Sequence, residues 1–311
     1  MRDSAGSTSS EFGATTPHAA YPQAGLRFRK MHGLGNSFVV LDEVRAGPHV
    51  GPLPWHKLAA RILSKSFGIG ADQLLIARRG AAGRFEMLIF NPDGSSAGMC
   101  GNGVRCLARY LVLENLIPAS TTTISFDVSS RQVICELFEA ARQVRVDMGR
   151  PELAPEKVPL RSKSELVNAE VELAGERRRV TAVSMSNPHA VLFMDDVAKV
   201  AIEQLGPQIE NDVLFPDRCN VEFVQVLSRE KIRVRVWERG TGVTEACGSG
   251  ACASAVAAVL AGYCERKQEV QLPGGVLEIE WRESDQHVLM KGPTASVAEG
   301  TFDPEFLNQM L

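Results

Sequence analysis

Aromatic residues and basic charge are both in short supply in this 311-residue chain, which has three Trp, three Tyr, and 34 Lys plus Arg against 37 Asp plus Glu, for a net charge of −3. Nucleic acid binds through basic stripes interleaved with aromatics, so nucleic acid is not an expected partner. Long apolar runs are missing as well. The longest, residues 251–263, is broken by Ser254 and Gly262 and falls short of the roughly 18 residues that a membrane span requires, so no membrane partner is expected. The seven cysteines are odd in number and include no C-x-x-C pair, which argues against a disulfide framework and a zinc site and for a reducing, cytoplasmic setting.

At 44% apolar and 23% charged residues, the composition is that of a soluble globular protein, and the length suits about two domains. Residues 1–25 are rich in Ser, Gly, Ala and Thr and lack both an apolar periodic face and a secretory core, so a disordered extension is expected. Asp3, Glu11 and the shortage of Arg argue against a transit segment there.

One short pattern occurs twice: Cys100-Gly101-Asn102-Gly103 and Cys247-Gly248-Ser249-Gly250, each running into a helix-like segment. Asn91 precedes the first cysteine by the same interval that separates Glu238 from the second, with a Gly-containing turn between. A cysteine at a glycine-rich helix start lies beside backbone amides and partial positive charge, which favours anions. This context predicts that one of the two thiols is ionised while the other stays protonated. Two such thiols suit a reaction that needs an acid and a base on opposite faces of one carbon. Cys106, Cys135, Cys252 and Cys264 read instead as small apolar core residues.

Strands are predicted over residues 85–90, 123–128, 133–138, 144–147, 221–226 and 232–237. After Cys100, the positions Val104, Leu107, Ala108, Leu111 and Val112 predict an amphipathic helix with Arg105 and Arg109 on another face. The segment after Cys247 is small and apolar all round, which predicts an enclosed helix. A domain boundary is expected near Gly149-Arg150-Pro151, followed by a charged stretch to about Arg179.

These residues resemble the diaminopimelate epimerase family. The resemblance is carried in order by Lys30-Met31-His32-Gly33-Leu34-Gly35-Asn36, Gly70-Ala71-Asp72-Gln73, Asn91-Pro92-Asp93-Gly94-Ser95, the segment from Met99 to Cys106, Ser186-Asn187-Pro188-His189, Cys219-Asn220-Val221-Glu222, and Glu238-Arg239-Gly240 through Cys252. It implies an α+β fold of two pseudo-symmetric domains, each a β-sheet wrapped round a central helix, with the active site in the cleft between them. The halves are expected at residues 26–147 with about 293–311, and at 148–292. Ser37, Ala71 and Ser186 depart from the family's usual Asp, Cys or other apolar residue, and Gly.

The resemblance further implies epimerisation of LL-diaminopimelate to the meso form in lysine biosynthesis, with Cys100 and Cys247 as the acid and base and no cofactor or metal. His189 and Glu238 become supporting acid-base groups. Asn36, Gln73, Asn91, Asn187, Asn220, Glu238 and Arg239 become substrate ligands, joined by the backbone amides of Gly101, Asn102, Gly248 and Ser249 as an anion hole. Arg239 offers a planar fork for the distal carboxylate. The partner is thus a small-molecule substrate, and a homodimer remains open. A racemase for another amino acid, a thiol-based redox sensor and a catalytically silent binding protein are the competing readings.

Overall fold

The runs Phe38-Val39-Val40-Leu41 and Leu74-Leu75-Ile76-Ala77 are apolar at every position, as strands covered on both faces must be. All of these side chains are fully buried. They lie in two neighbouring strands of a computed structural model that describes residues 26–44, 53–80, 83–129 and 131–308. The extension expected at residues 1–25 lies outside the described residues.

The chain runs through β1 (Leu26–Gly33), β2 (Asn36–Asp42), α1 (Trp55–Ile62), β3 (Gln73–Arg79), β4 (Phe85–Phe90), α2 (Gly101–Leu113), β5 (Thr123–Val128), β6 (Arg131–Phe138) and β7 (Gln143–Asp147). After a hairpin strand β8 (Ala169–Leu173), a second series follows: β9 (Glu176–Ser184), β10 (Pro188–Phe193), α3 (Ile202–Glu210), β11 (Asn220–Ser228), β12 (Lys231–Glu238), β13 (Gly242–Thr244), α4 (Gly248–Leu260), β14 (Lys267–Leu272), β15 (Gly275–Trp281) and β16 (Val288–Pro293). The last elements are β17 (Ala295–Phe302) and α5 (Pro304–Asn308).

The two series share one pairing scheme. Antiparallel pairs β1–β2, β3–β4, β5–β6 and β6–β7 alternate with parallel pairs β2–β3 and β4–β5. Their counterparts are β9–β10, β11–β12, β14–β15 and β15–β16, with parallel pairs β10–β11 and β12–β14. A parallel step needs a crossover, and α1, α2, α3 and α4 supply one each. The final strands of the two series, β7 and β16, pair antiparallel and make one continuous sheet. β17 returns to pair with β1.

Alternation along the strands sorts side chains between layers. Phe38, Val40, Leu75 and Ala77 face a central core shared with α2 and α4, whereas Val39, Leu41, Leu74 and Ile76 pack on Trp55, Leu58 and Ile62 of α1. In the second half Val183, Val191 and Val224 face the same central core, and Ala182, Ala190, Leu192 and Phe223 pack on Ile202 and Ile209 of α3. The central core is therefore one cluster spanning both halves, with Val288 and Met290 of β16 at the seam.

The enclosed helix expected after Cys247 is α4, buried on nearly every side. The amphipathic reading of α2 needs correction. Arg105 is fully buried and, along the helix, Arg109 and the last residue Leu113 alone keep partial exposure, because the sheet wraps this helix as closely as it wraps α4.

Ser186, at the turn before β10, has φ 73°. A side chain in this left-handed region costs roughly 1–2 kcal/mol, a cost that glycine avoids. Ser186→Gly is expected to stabilise the fold by up to about 1 kcal/mol, the rest being offset by glycine's greater chain entropy. Chemical denaturation of the two proteins measures this difference.

Candidate active site

A helix buried on all sides cannot solvate the amides of its first turn, so they need partners from the protein. Both central helices meet this need in the same way. Cys100 caps α2 with an extended backbone (φ −145°, ψ 104°), and its sulfur accepts from the Gly103 N–H at 3.4 Å. Cys247 caps α4 (φ −110°, ψ 113°), and its sulfur accepts from the Gly250 N–H at 3.4 Å. The amides of Gly101, Asn102, Gly248 and Ser249 occupy the first helical positions, where no carbonyl four residues back exists within the helix.

The two helix starts converge on β16. A Cβ on Gly101 would lie 2.6 Å from Met290 Cε, and one on Gly248 would lie 3.1 Å from Met290 Sδ. Glycine at both positions lets the two turns approach Met290 without displacing the end of its side chain. Asn102 spans the gap directly, since its Nδ2 donates to the Ala246 carbonyl and to Asn36 Oδ1, both at 3.2 Å. The Cys100 thiol also points at Asn36 Oδ1, 3.8 Å away. Asn36 is held in turn by Asp72, whose Oδ2 accepts from its Nδ2 at 3.1 Å and from the Ser37 N–H at 2.7 Å.

A second chain of contacts reaches Cys247. Its sulfur lies 3.5 Å from Ser249 Oγ, which accepts from Asn187 Nδ2 at 3.3 Å. Asn187 Oδ1 thereby faces His189 Nε2 at 2.9 Å, making that nitrogen the donor. His189 Nδ1 lies 2.7 Å from Glu222 Oε1, with both side chains fully buried. His189 thus connects to Cys247 by hydrogen bonds through Asn187 and Ser249, and on its other side it holds Glu222, whose charge acts on the same thiol. Glu238 Oε1 accepts from Thr244 Oγ1 at 2.5 Å, and its charge acts on the Cys247 thiol.

The remaining predicted residues form two flanking pairs. Gln73 Nε2 donates to Asn91 Oδ1 at 3.0 Å, joining the start of β3 to the end of β4. Asn220 Oδ1 accepts from the Arg239 backbone N–H at 2.9 Å, while Nη1 of the exposed Arg239 side chain donates to the Asp217 carbonyl at 2.9 Å. The sequence reading attached no role to Glu222. Its signal was parity, since Glu222 alternates with Asn220 and with Val224, which faces the central core.

Burial sets the electrostatics. It pushes the Cys100 thiol up to about 11, a rise that the Gly103 N–H, Arg105 and the Asn102 N–H oppose and the Glu238 charge reinforces. Cys247 is held well above the usual thiol range by burial and by the charges of Glu238 and Glu222. Burial also raises Glu238, against its hydrogen bond from Thr244. The expectation of one ionised thiol is therefore corrected for the free protein: desolvation outweighs the helix N-terminus, and both thiols are neutral.

The family model for diaminopimelate epimerase matches residues 28–154 and 181–297. The chain belongs to the diaminopimelate epimerase family. The diaminopimelate epimerase of Alkalilimnicola ehrlichii is 47% identical over 280 residues, covering 88% of this chain and 98% of the relative. That of Moorella thermoacetica is 45% identical over 280 residues, covering 89% and 99%. Among solved structures, a hydroxyproline epimerase from Agrobacterium vitis superposes with a TM-score of 0.65 at 11% identity over 92% of this chain and 96% of its own. A phenazine biosynthesis protein of the PhzF family from Bacillus anthracis gives 0.64 at 12% identity over 89% and 99%. These two likenesses show the α+β fold of two pseudo-symmetric halves and nothing of the substrate.

With Cys100 raised from 9.0 to about 11, its thiolate fraction at pH 8 falls roughly 100-fold below that of an ordinary thiol. Iodoacetamide should therefore label Cys100 of the free protein roughly 100-fold more slowly than an exposed thiol, with the rate climbing about tenfold per pH unit towards pH 11. The sign for stability follows from linkage. A folded-state value above the unfolded one gives a contribution fully present below pH 9 and lost as pH rises through 11. Peptide mapping after timed alkylation checks the rate.

Proposed function

We propose that this chain is a cofactor-independent isomerase that converts LL-2,6-diaminopimelate to the meso form in lysine and cell-wall precursor biosynthesis, with Cys100 and Cys247 as the two acid-base groups. The observation that carries this reading is the pair of equivalent sulfur caps on two buried helices whose first turns converge on Met290. One sulfur removes the Cα proton while the other delivers a proton to the opposite face, and the roles exchange in the reverse direction. The bond from Cα to hydrogen breaks on one face and a new one forms on the other, so no oxidant or reductant is consumed.

Positioned acid-base groups contribute roughly 10²- to 10⁴-fold, and stabilisation of charge developing on the α-carboxylate must supply much of the remainder. In this reading the amides of Gly101, Asn102, Gly248 and Ser249 receive that charge. The substrate's α-ammonium brings a positive charge to thiols that burial otherwise keeps neutral, and binding thereby generates the base. Glu238, whose charge acts on Cys247, and His189, joined to it through Asn187 and Ser249, tune the second thiol. Asn36, Gln73, Asn91, Asn187, Asn220 and Arg239 hold the two ends of the substrate, with Arg239 turning from the Asp217 carbonyl to the distal carboxylate. The halves divide at residues 26–147 with 293–311, and 148–292. The reading includes a cytoplasmic setting, because a thiol-dependent reaction needs reducing conditions.

Cys100→Ala and Cys247→Ala are each expected to lower kcat by roughly 10²- to 10⁴-fold while leaving the fold intact. Deuterium entry at Cα in D₂O, followed by NMR, reads the loss, and wild-type turnover in either variant would overturn the two-cysteine mechanism. Arg239→Lys keeps the charge but loses the fork, so kcat/KM should fall roughly 10- to 150-fold, or about 1.5–3 kcal/mol. Steady-state kinetics with circular dichroism as a folding control measures that fall; a folded Lys variant at wild-type kcat/KM would remove Arg239 from the substrate shell.

A further inference from the structure

Arg105 lies one turn into α2, fully buried, in a place where a guanidinium has no general reason to be. No carboxylate pairs with it among the described residues, and its Nε and Nη2 have no hydrogen-bond partner there. A buried, unpaired charge costs stability and persists only where something depends on it. Space is nonetheless kept for it. A Cβ on Gly33 of β1 would stand 2.8 Å from Nη2, too close to coexist with it unmoved.

The one short contact that this guanidinium makes to a polar oxygen is informative. Its Nη1 donates to Asn102 Oδ1 at 2.9 Å, with a longer approach to Met290 Sδ at 3.6 Å. Arginine offers donors only, so it fixes which end of the Asn102 carboxamide faces it. With Oδ1 held by Arg105, Nδ2 must face the other way. There it meets the Ala246 carbonyl, immediately before Cys247, and Asn36 Oδ1, towards which the Cys100 thiol points. A flipped carboxamide would set its oxygen against those two oxygens and its NH₂ group against the Nη1 donors of Arg105.

We propose that Arg105 is a positioning residue for the epimerisation: by locking the orientation of Asn102 it ties the Cys100 turn of the first half to the Cys247 turn of the second, and so fixes the two sulfurs on either side of one carbon. This rests on the two-cysteine reading and adds to it a group that touches neither sulfur. It also explains why an unpaired charge is retained at the contact of α2 with the seam strand, since a neutral apolar residue would pack there but could not orient the amide.

The decisive comparison is Arg105→Met against Arg105→Lys. Methionine removes the buried charge and its orphaned donors while filling much of the volume, so a melting temperature equal to or above wild type is expected. Turnover moves the other way. With the Asn102 amide free to rotate, kcat should fall on the order of 10- to 100-fold, the scale of a small misplacement of reacting groups, while KM for LL-diaminopimelate stays within about threefold. Lysine still presents a donor to Asn102 Oδ1 and should recover most of the lost kcat. A folded Arg105→Met enzyme at wild-type kcat, or a folded Lys variant no faster than the Met variant, would overturn the proposal.

Gly33→Ala provides a second route should Arg105→Met not fold, because the new methyl pushes on Nη2 without removing the side chain. It should lower kcat with KM held, and where both variants fold it should have no further effect on top of Arg105→Met. Unchanged kcat in Gly33→Ala would count against the proposal. Failure of the two-cysteine reading would appear differently, as turnover in the Cys→Ala enzymes, whereas failure here leaves full turnover in Arg105 variants with both cysteines intact.

Discussion

Enclosing a helix on every side removes water from the amides of its first turn, and much of the architecture of this protein follows from how that cost is met. Serine or aspartate would be the usual cap. Cysteine serves here in both halves, through sulfur contacts of 3.4 Å to Gly103 and Gly250. The larger, softer sulfur is a weaker acceptor, but it leaves at the mouth of each helix a group able to exchange a proton. Structural and chemical demands thus fall on the same atom. Gly101 and Gly248, directly after the two cysteines, let both helix starts pack against the tip of Met290.

Burial cuts both ways. The desolvation that strips water from the first-turn amides also raises both thiols. Thiols raised in this way hold little thiolate for oxidants to attack. The Glu238 charge raises both thiols, but Glu222 adds to it at Cys247 whereas Arg105 opposes it at Cys100, so two halves of equal topology present unequal electrostatics.

Much of this was legible in the sequence. The duplicated cysteine turns marked both helix starts, and period-two alternation at Ile232, Val234 and Val236 marked β12. The all-apolar composition after Cys247 revealed an enclosed helix. The same logic failed for α2, because Arg105 and Arg109 read as a solvated face when one of them is sealed inside. Periodicity can report which residues are apolar, but not that a sheet closes over a charged one. The roles of Glu222 and Asp72 also escaped notice, because each acts on a neighbour distant in sequence: His189 lies 33 residues from Glu222, and Asn36 lies 36 from Asp72. The unequal thiol electrostatics depend on three-dimensional burial, which no local pattern encodes.

The pairing of β7 with β16 and of β1 with β17 has a consequence for how the chain is made. When residues up to 147 have left the ribosome, the first half has most of its strands and its central helix, but both margins of its sheet lack their neighbours. The strands that cover them, residues 288–302, are nearly the last to be synthesised. Open margins of this kind recruit other chains, and closing them requires contacts of very long sequence separation, which form slowly. The interval between synthesis of β7 and arrival of β16 is therefore the period in which a nascent chain is most exposed to mispairing and most dependent on chaperones.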